Sequence, residues 1–458
     1  MKIQLPQKVN TIIRELKKHG FDAYAVGGCV RDSVLGRDPQ DWDITTSAKP
    51  EQVKEIFART VDTGIQHGTV TVLLEKEGFE VTTYRIDGEY EDARHPKDVI
   101  FTSDLLEDLK RRDFTVNAMA YNEEAGLVDA FGGIGDLNSH VIQCVGDAEE
   151  RFHEDALRML RAVRFAAQLG FEIEEKTREA IIKLAPNLSR ISAERIQAEL
   201  VKLVISPHPE EMQTIYDTGI ADVILPEFSV MMKTEQHNPH HIYTVGEHTI
   251  RSMKCIRADR ILRLTMLFHD VAKPVCRTED ENGIHHFQGH PEVGAKMTEK
   301  ILRRLKFDND TIKQVTALVK AHDDRPPLSG RSIRRAIYRN GMEQYPALFA
   351  VKRADILAQS MFRQQEKLLY VDQYEKLYLR IREKEQCLSL KDLAVSGSDL
   401  IETGMKPGKE IGRVLNQMLQ DVLEHPELNQ KNMLLERYAP EYPDKGGSAH
   451  PEGDPKRE

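Results

Sequence analysis

The fold class this sequence predicts is an α/β head with a small mixed sheet, followed by a mostly α-helical body. Short apolar runs between turn signals fill residues 1–140, and apolar residues at three and four spacing dominate from about 145 to 435. Residues 439–458 carry no apolar periodicity and are expected to be disordered. In the head, AYAV ahead of Gly27-Gly28, then DWDI, GTVTVLL and FEVTTY, each bracketed by polar or glycine-containing segments, read as short strands of one sheet. The stretch ALRMLRAVRFAAQLGF typifies the helical pattern that follows. At 458 residues the chain exceeds a single core, so about two to four domains are expected. The pattern divides into a head (1–140), a helical neck (141–235), a histidine-bearing unit (236–360), a helical tail (361–438) and the final segment (439–458), with no internal repeat.

Five scattered cysteines without a Cys-x-x-Cys argue against both a disulfide framework and a thiolate zinc site, and fit a reducing compartment. The opening MKIQLPQKVNTIIRELKKHG interleaves charged and apolar residues and lacks the apolar stretch of a signal peptide or membrane span. A cytoplasmic protein with no membrane partner is therefore expected. With a net charge of −10, any nucleic-acid partner must be met by a local basic surface rather than by the field of the whole molecule.

The head holds Val26-Gly27-Gly28-Cys29-Val30-Arg31-Asp32, followed by Asp41-Trp42-Asp43. In a strand, side chains two apart share a face, so Asp41 and Asp43 project together and Trp42 points away. Two converging carboxylates are costly unless a cation sits between them, and Mg²⁺ held by carboxylates and phosphates is the common solution. Gly27 and Gly28 lie between a strand and a helix, where backbone N–H groups approach a triphosphate and Arg31 supplies a charge partner. Taken alone, an Asp-x-Asp is more often a solvated strand edge. Joined at this spacing, GGCVRDSVLGRDPQDWDITTSA resembles the signature of the polymerase-beta-like nucleotidyltransferases, in the bacterial class that contains CCA-adding enzymes and poly(A) polymerases. The resemblance implies a polymerase-beta-like head in which Asp41 and Asp43 are catalytic and Gly28 and Arg31 bind nucleotide. Two metals there would polarise the α-phosphate and activate a 3′-hydroxyl. A third carboxylate often joins such sites, and Glu80 in FEVTTY is the candidate.

Lys110-Arg111-Arg112-Asp113-Phe114-Thr115 resembles the family's RRDFT motif, which implies that Arg112 contacts the nucleotide and Asp113 braces the fold. In Glu154-Asp155-Ala156-Leu157-Arg158, read as part of a helix, Asp155 and Arg158 are three apart and therefore neighbours. An ordinary ion pair is the bland reading. Base chemistry gives a sharper one: cytosine and adenine present an amine donor beside a ring-nitrogen acceptor, whereas uracil and guanine present an oxygen beside a ring N–H. A carboxylate with a guanidinium complements only the first pair, so Asp155 and Arg158 would admit CTP and ATP and reject UTP and GTP. The match to the family's EDxxR motif implies that Arg161 and Arg164 also face the nucleotide or its phosphates.

The resemblance implies addition of CCA to the 3′ end of tRNA, with tRNA, CTP and ATP as partners. Two features favour it over a poly(A) polymerase or an A-only adder. The polar segment Asp87-Gly88-Glu89-Tyr90-Glu91-Asp92-Ala93-Arg94-His95-Pro96 resembles the family's flexible loop for switching from C to A. VSGSDLIETGMKPGKEIGRVLNQMLQDVL resembles the tail that grips tRNA, with Lys406, Lys409 and Arg413 toward phosphates. Ser192-Ala193-Glu194-Arg195 begins a helix with Ser192 as N-cap and corresponds to a neck motif supporting the nucleotide helix. A non-catalytic RNA-binding protein or a plain phosphohydrolase is the alternative from another class; the presence of both Asp41 and Asp43 speaks against it. No feature sets the oligomeric state.

In the histidine-bearing unit, His248, His269-Asp270 and Asp355, with His290 and His322 between them, resemble the His-Asp (HD) superfamily of metal-dependent phosphohydrolases. Imidazole and carboxylate ligands suit Mn, Fe, Co or Ni, and the extra histidines allow a second ion.

Overall fold

Residues 2–65, 68–87, 99–384 and 386–438 are described by the computed structural model. Of the segment 87–96 compared above with a switching loop, residues 88–96 lie outside the described residues, as does the final segment 439–458.

The head begins with α1 (Gln7–Lys18), whose Val9, Ile12, Ile13 and Leu16 recur at helical spacing and are all buried. Its strands are β1 (Ala23–Val26), β2 (Ile44–Thr46), β3 (Thr60–Gly64), β4 (Thr69–Leu74), β5 (Glu77–Thr83), β6 (Arg85–Asp87), β7 (Val99–Phe101), β8 (Ala120–Asn122) and β9 (Gly126–Val128). Seven of these form one sheet in the order β3-β4-β5-β2-β1-β8-β9. The β2–β5 pair is parallel and its other ladders antiparallel, so the sheet is mixed, as expected. Glu75 and Lys76, both at positive φ, make the two-residue turn that joins β4 to β5, a backbone twist that matches the strands it connects. Helices α2 (Gly28–Val34), α3 (Pro50–Ile56), α4 (Leu105–Lys110) and α5 (Gly133–Ser139) complete the head.

The neck contains α6 (Ala148–Glu154), α7 (Leu157–Leu169), α8 (Glu175–Leu184) and α9 (Ala193–Val204). One helix through Glu154–Phe165 was the expectation; the chain instead breaks at Asp155, which has extended backbone (φ −145°, ψ 103°). Its carboxylate accepts the N–H of Leu157 at 3.1 Å, the local bond by which aspartate competes with helix and favours its ends.

Beyond the neck, Val245–Lys254, Arg260–Phe268, His290–Arg304 and Asn309–Ala321 are helices. These belong with the head and neck to one compact unit, Met1–His322 together with Ala354–Phe362. A second unit comprises Asp323–Arg353 and the residues from Arg363 onward. In it, Tyr345, Phe349, Tyr374 and Tyr378 pack ring on ring in the core, with the Tyr345 and Tyr374 hydroxyls 2.9 Å apart. Arg334 donates to the carbonyls of Leu423 and Glu424 and so caps the C-terminus of the helix Lys409–Glu424. Lys406, Lys409 and Arg413 are exposed in this unit, Arg413 being paired with Glu410. All five cysteines are free, and no helix among the described residues is long and apolar enough to cross a membrane.

Candidate functional site

β1 ends where Gly27 takes φ 80° and ψ −130°, a conformation that only glycine adopts without strain. Val26 still donates to the carbonyl of Asp43 at 3.0 Å, but β1 then turns away, so regular strand begins at Ile44, and Asp41 and Trp42 precede it. Asp41 and Asp43 are both solvent-accessible. In the β2–β5 ladder Ile44 faces Val81, so the same register one residue earlier brings Asp43 beside Glu80, in the middle of β5.

The three carboxylates feel one another. Burial raises the pKa of Glu80, and the charges of Asp43 and Asp41 raise it further. Asp43 reaches solvent, yet the groups packed around its carboxylate desolvate it enough to raise its pKa as well; Arg112 opposes the shift and Asp41 adds to it. Asp43 and Glu80, whose ionisation is penalised by burial and by neighbouring acids, offer the kind of carboxylate pair a hard divalent cation relieves, with Asp41 nearby.

Arg112 stands against the Gly27 turn, where a Cβ would meet its guanidinium at 3.1 Å, and donates to Asp108 at 3.3 Å. Arg31 is buried, forked onto Asp32 and bonded to Asn117 at 2.7 Å. The N–H of Gly27 goes to the carbonyl of Met119, and Gly28 begins α2. Asp113 is buried and accepts from the Phe114 N–H, Asn117 and, at 2.6 and 2.8 Å, Arg161. Burial opposes its ionisation, yet Arg161 holds the carboxyl well below the usual range. Arg164 donates to Glu199 of α9 at 2.5 Å and to Gln168, over the ring of Phe165. Arg161 and Arg164 thus lie on carboxylates of the fold, a contact that spacing along α7 did not reveal. Because the Arg164–Glu199 pair is buried, Glu199→Ala is expected to cost about 3–5 kcal/mol in urea unfolding. A loss under about 1 kcal/mol would mean the pair is effectively solvated.

The two residues expected to read the base flank the α6–α7 break. Arg195, from the Ser192-Ala193-Glu194-Arg195 segment, grips the Asp155 carboxylate at 2.6 and 3.3 Å. Arg158 is buried and donates to Glu154 at 2.6 Å and to the carbonyls of Arg111 and Arg151 at 3.2 and 3.3 Å. Ser192 is the N-cap of α9 by position, but its hydroxyl makes no capping bond. A carboxylate and a guanidinium are therefore each anchored by the fold. The four-residue spacing of Arg195 and Glu199 puts both on one face of α9, where Arg195 holds Asp155 and Glu199 holds Arg164.

A second cluster lies in the same unit. His248 comes from the helix Val245–Lys254, His269 and Asp270 from the end of Arg260–Phe268, His290 from the start of His290–Arg304, His322 from the end of Asn309–Ala321, and Asp355 from Tyr345–Ala358. His269 Nδ1, His290 Nδ1 and His322 Nδ1 each lie 2.7 Å from a main-chain carbonyl, which makes Nδ1 the donor and leaves Nε2 with a lone pair. Yet His248 Nε2 and His269 Nε2 are 3.2 Å apart, as are His290 Nε2 and His322 Nε2. His248 Nε2 is also 3.0 Å from Asp355. Asp270 bridges the pairs: Oδ2 lies 3.2 Å from His269, Oδ1 3.4 Å from His290 and 3.7 Å from His322. Between His290 and His322 two Nε2 lone pairs face each other and repel unless a proton or cation lies between them, whereas His248 Nε2 has His269 and Asp355 as partners for a proton; the donor chemistry fits one or two metal ions. The ligand atoms of His248, His269 and Asp270, and of Asp270, His290 and His322, all lie within 4.8 Å of one another in each group. Burial opposes the ionisation of Asp270, but a proton taken up by His269 in the metal-free site and the ammonium of Lys273, 2.8 Å from Oδ2, hold its carboxyl well below the usual range.

Residues 23–143 match the family described as the poly A polymerase head domain, 170–232 the segment of polymerase A associated with RNA and SrmB binding, and 284–437 tRNA nucleotidyltransferase domain 2. The chain is 38% identical to a CCA-adding enzyme of Lactobacillus helveticus, over 91% of its own length and 92% of the relative's. It is 36% identical to one of Enterococcus faecalis, over 93% of both chains. Among solved structures, the crystal structure of the Bacillus stearothermophilus CCA-adding enzyme in complex with CTP superposes with a TM-score of 0.72 at 31% identity, covering 95% of this chain and 98% of that one.

Proposed function

Because the chain belongs to the CCA-adding enzyme family, we propose that it rebuilds the CCA end of tRNA from CTP and ATP without a nucleic-acid template. The observation that carries this reading is the register that sets Asp43 beside Glu80, with Asp41 close enough for its charge to reach both, and Arg112 at the Gly27 turn. These carboxylates would hold magnesium, which when bound neutralises the triphosphate and activates the 3′-hydroxyl of the RNA. Arg112 and the first turn of α2 at Gly28 face the phosphates, while Arg31, fixed by Asp32 and Asn117, supports that turn. Asp155 accepts from the exocyclic amine of cytosine or adenine and Arg158 donates to the ring nitrogen; Arg161 and Arg164 keep α7 in register on Asp113 and Glu199.

The test is to incubate the protein with Mg²⁺, tRNA lacking its terminal nucleotides and each nucleoside triphosphate, then sequence the product ends. Addition of C, C and A followed by arrest is expected. Homopolymer A would make it a poly(A) polymerase or A-only adder, and no extension by any nucleotide would leave an RNA-binding protein.

A second reading is favoured by the facing Nε2 atoms: an HD-type phosphohydrolase centre at His248, His269, Asp270, His290, His322 and Asp355. A bound Mn, Fe, Co or Ni ion would supply hydroxide for phosphoester hydrolysis. Anaerobically purified protein is expected to carry about one or two such ions per chain, lost in Asp270→Ala, because that carboxylate reaches both histidine pairs. Metal-free wild-type protein after this treatment would sink the reading.

A further inference from the structure

One side chain of the head, outside every motif discussed so far, ties the metal-binding strand to the arginines. Asp108, in α4, is completely buried. Its Oδ1 accepts from Arg111 Nε and Nη2 at 3.0 and 2.7 Å and from the Arg85 N–H at 3.4 Å. Its Oδ2 accepts from the Thr45 hydroxyl at 3.1 Å and from Arg112 at 3.3 Å. Thr45 follows Asp43 by two residues on β2, and Arg111 offers the carbonyl to which Arg158 donates. A carboxylate this deep is tolerated only when its lone pairs are met, and here they are met by groups leading to all three parts of the head site.

We propose that Asp108 is a positioning residue for the nucleotide: by taking one nitrogen of Arg112 it aims the rest of that guanidinium at the Gly27 turn and at the phosphates bound there. The reading rests on nucleotide transfer at the head site. The geometry carries it as follows. Arg112 is half-buried, its guanidinium makes one bond among the described residues, to Asp108, and it lies so near Gly27 that a Cβ would meet it at 3.1 Å. A guanidinium offers five N–H donors in a rigid plane, so fixing one edge fixes where the others point. Asparagine at 108 keeps the shape but replaces an anionic acceptor by an amide whose nitrogen faces cationic donors, and Arg112 loses its anchor.

The experiment is steady-state kinetics of the full chain and of Asp108→Asn on truncated tRNA with CTP and with ATP. The expected result is a KM for both nucleotides raised by about 10- to 100-fold, the range of a charged hydrogen bond, with kcat and the KM for tRNA little changed. In the Arg112→Ala background, Asp108→Asn should add nothing further to the nucleotide KM. A merely structural role predicts the reverse: kcat falling with the fraction of folded protein, KM values constant, and defects that add to Arg112→Ala; that pattern overturns the proposal. Should Asp108→Asn not fold, Thr45→Val removes one donor from the same carboxylate, and its nucleotide KM should rise by a few fold; an unchanged KM overturns the proposal. Failure of the wild-type chain to extend RNA would instead overturn the transfer reading on which this one stands.

Discussion

Asp43→Asn is expected to lower nucleotide incorporation by at least roughly a thousandfold while raising the melting temperature of the metal-free protein. The first effect follows from the loss of a metal-binding oxygen pair worth several kcal/mol of charge stabilisation, each ~1.4 kcal/mol being tenfold in rate. The second follows from electrostatics. Burial and then, against the pull of Arg112, the charge of Asp41 leave the folded-state pKa of Asp43 above its ordinary value. A carboxylate in that position is easier to ionise in the unfolded chain. Its ionisation therefore subtracts from stability at neutral pH, and the penalty disappears as pH falls through the raised folded value. Asparagine keeps the shape and removes the charge, so the variant should melt higher than wild type in EDTA at neutral pH, and the two curves should converge in mild acid. Calorimetry across pH together with an extension assay tests both. Incorporation within about tenfold of wild type would remove Asp43 from catalysis. A lower melting temperature at neutral pH would mean that its carboxylate is held by favourable bonds rather than crowded.

The head shows what local pattern can and cannot disclose. AYAV and GTVTVLL were legible as strands because apolar residues between turn signals leave little choice, and Val70, Val72 and Val81 indeed fill the interior. The Asp-x-Asp pair stood out by residue type and spacing, but its strand context did not: the strand begins after it, because the partner strand ends at a glycine turn. Glu80 became a stronger candidate only through the parallel β2–β5 register, a pairing between strands distant in sequence that no local pattern encodes. The histidine cluster was legible as a set of residue types, yet not the tautomers fixed by main-chain carbonyls. The partners of the arginines were least legible. Arg161, Arg164 and Arg158 are alike as residues on a helix, and only the packing of α9 on α7 and the end of α4 decides that each is held by a different acceptor.

The double variant Asp155→Asn/Arg158→Gln is expected to lose at least roughly a hundredfold of the discrimination between CTP and UTP, and likewise between ATP and GTP. A site built to hydrogen-bond one edge rejects a mismatched edge by about 10⁴ in kcat/KM, because its own buried groups are left unpaired. In the wild type, the Asp155 carboxylate offers acceptors, and Arg195 orients it by gripping both oxygens. Its Oδ1 also takes the Leu157 N–H, so an asparagine there is bound to place its amide oxygen at that position. The amide nitrogen then occupies the place of Oδ2, putting a donor where the amino edge of cytosine or adenine needs an acceptor and where the O4 of uracil or O6 of guanine can accept. Arg158 alone would still meet the ring N–H of those bases donor to donor. Glutamine at 158 can turn its oxygen toward that N–H, and its shorter side chain gives up the bonds to Glu154 and the Arg111 carbonyl. With an amide at each position the site presents either role to either base, so specificity relaxes instead of inverting. Measuring kcat/KM for all four triphosphates on the same truncated tRNA reads the effect directly. Unchanged preference would place base selection elsewhere, and equal loss for all four would show that these residues hold the α6–α7 joint rather than the base.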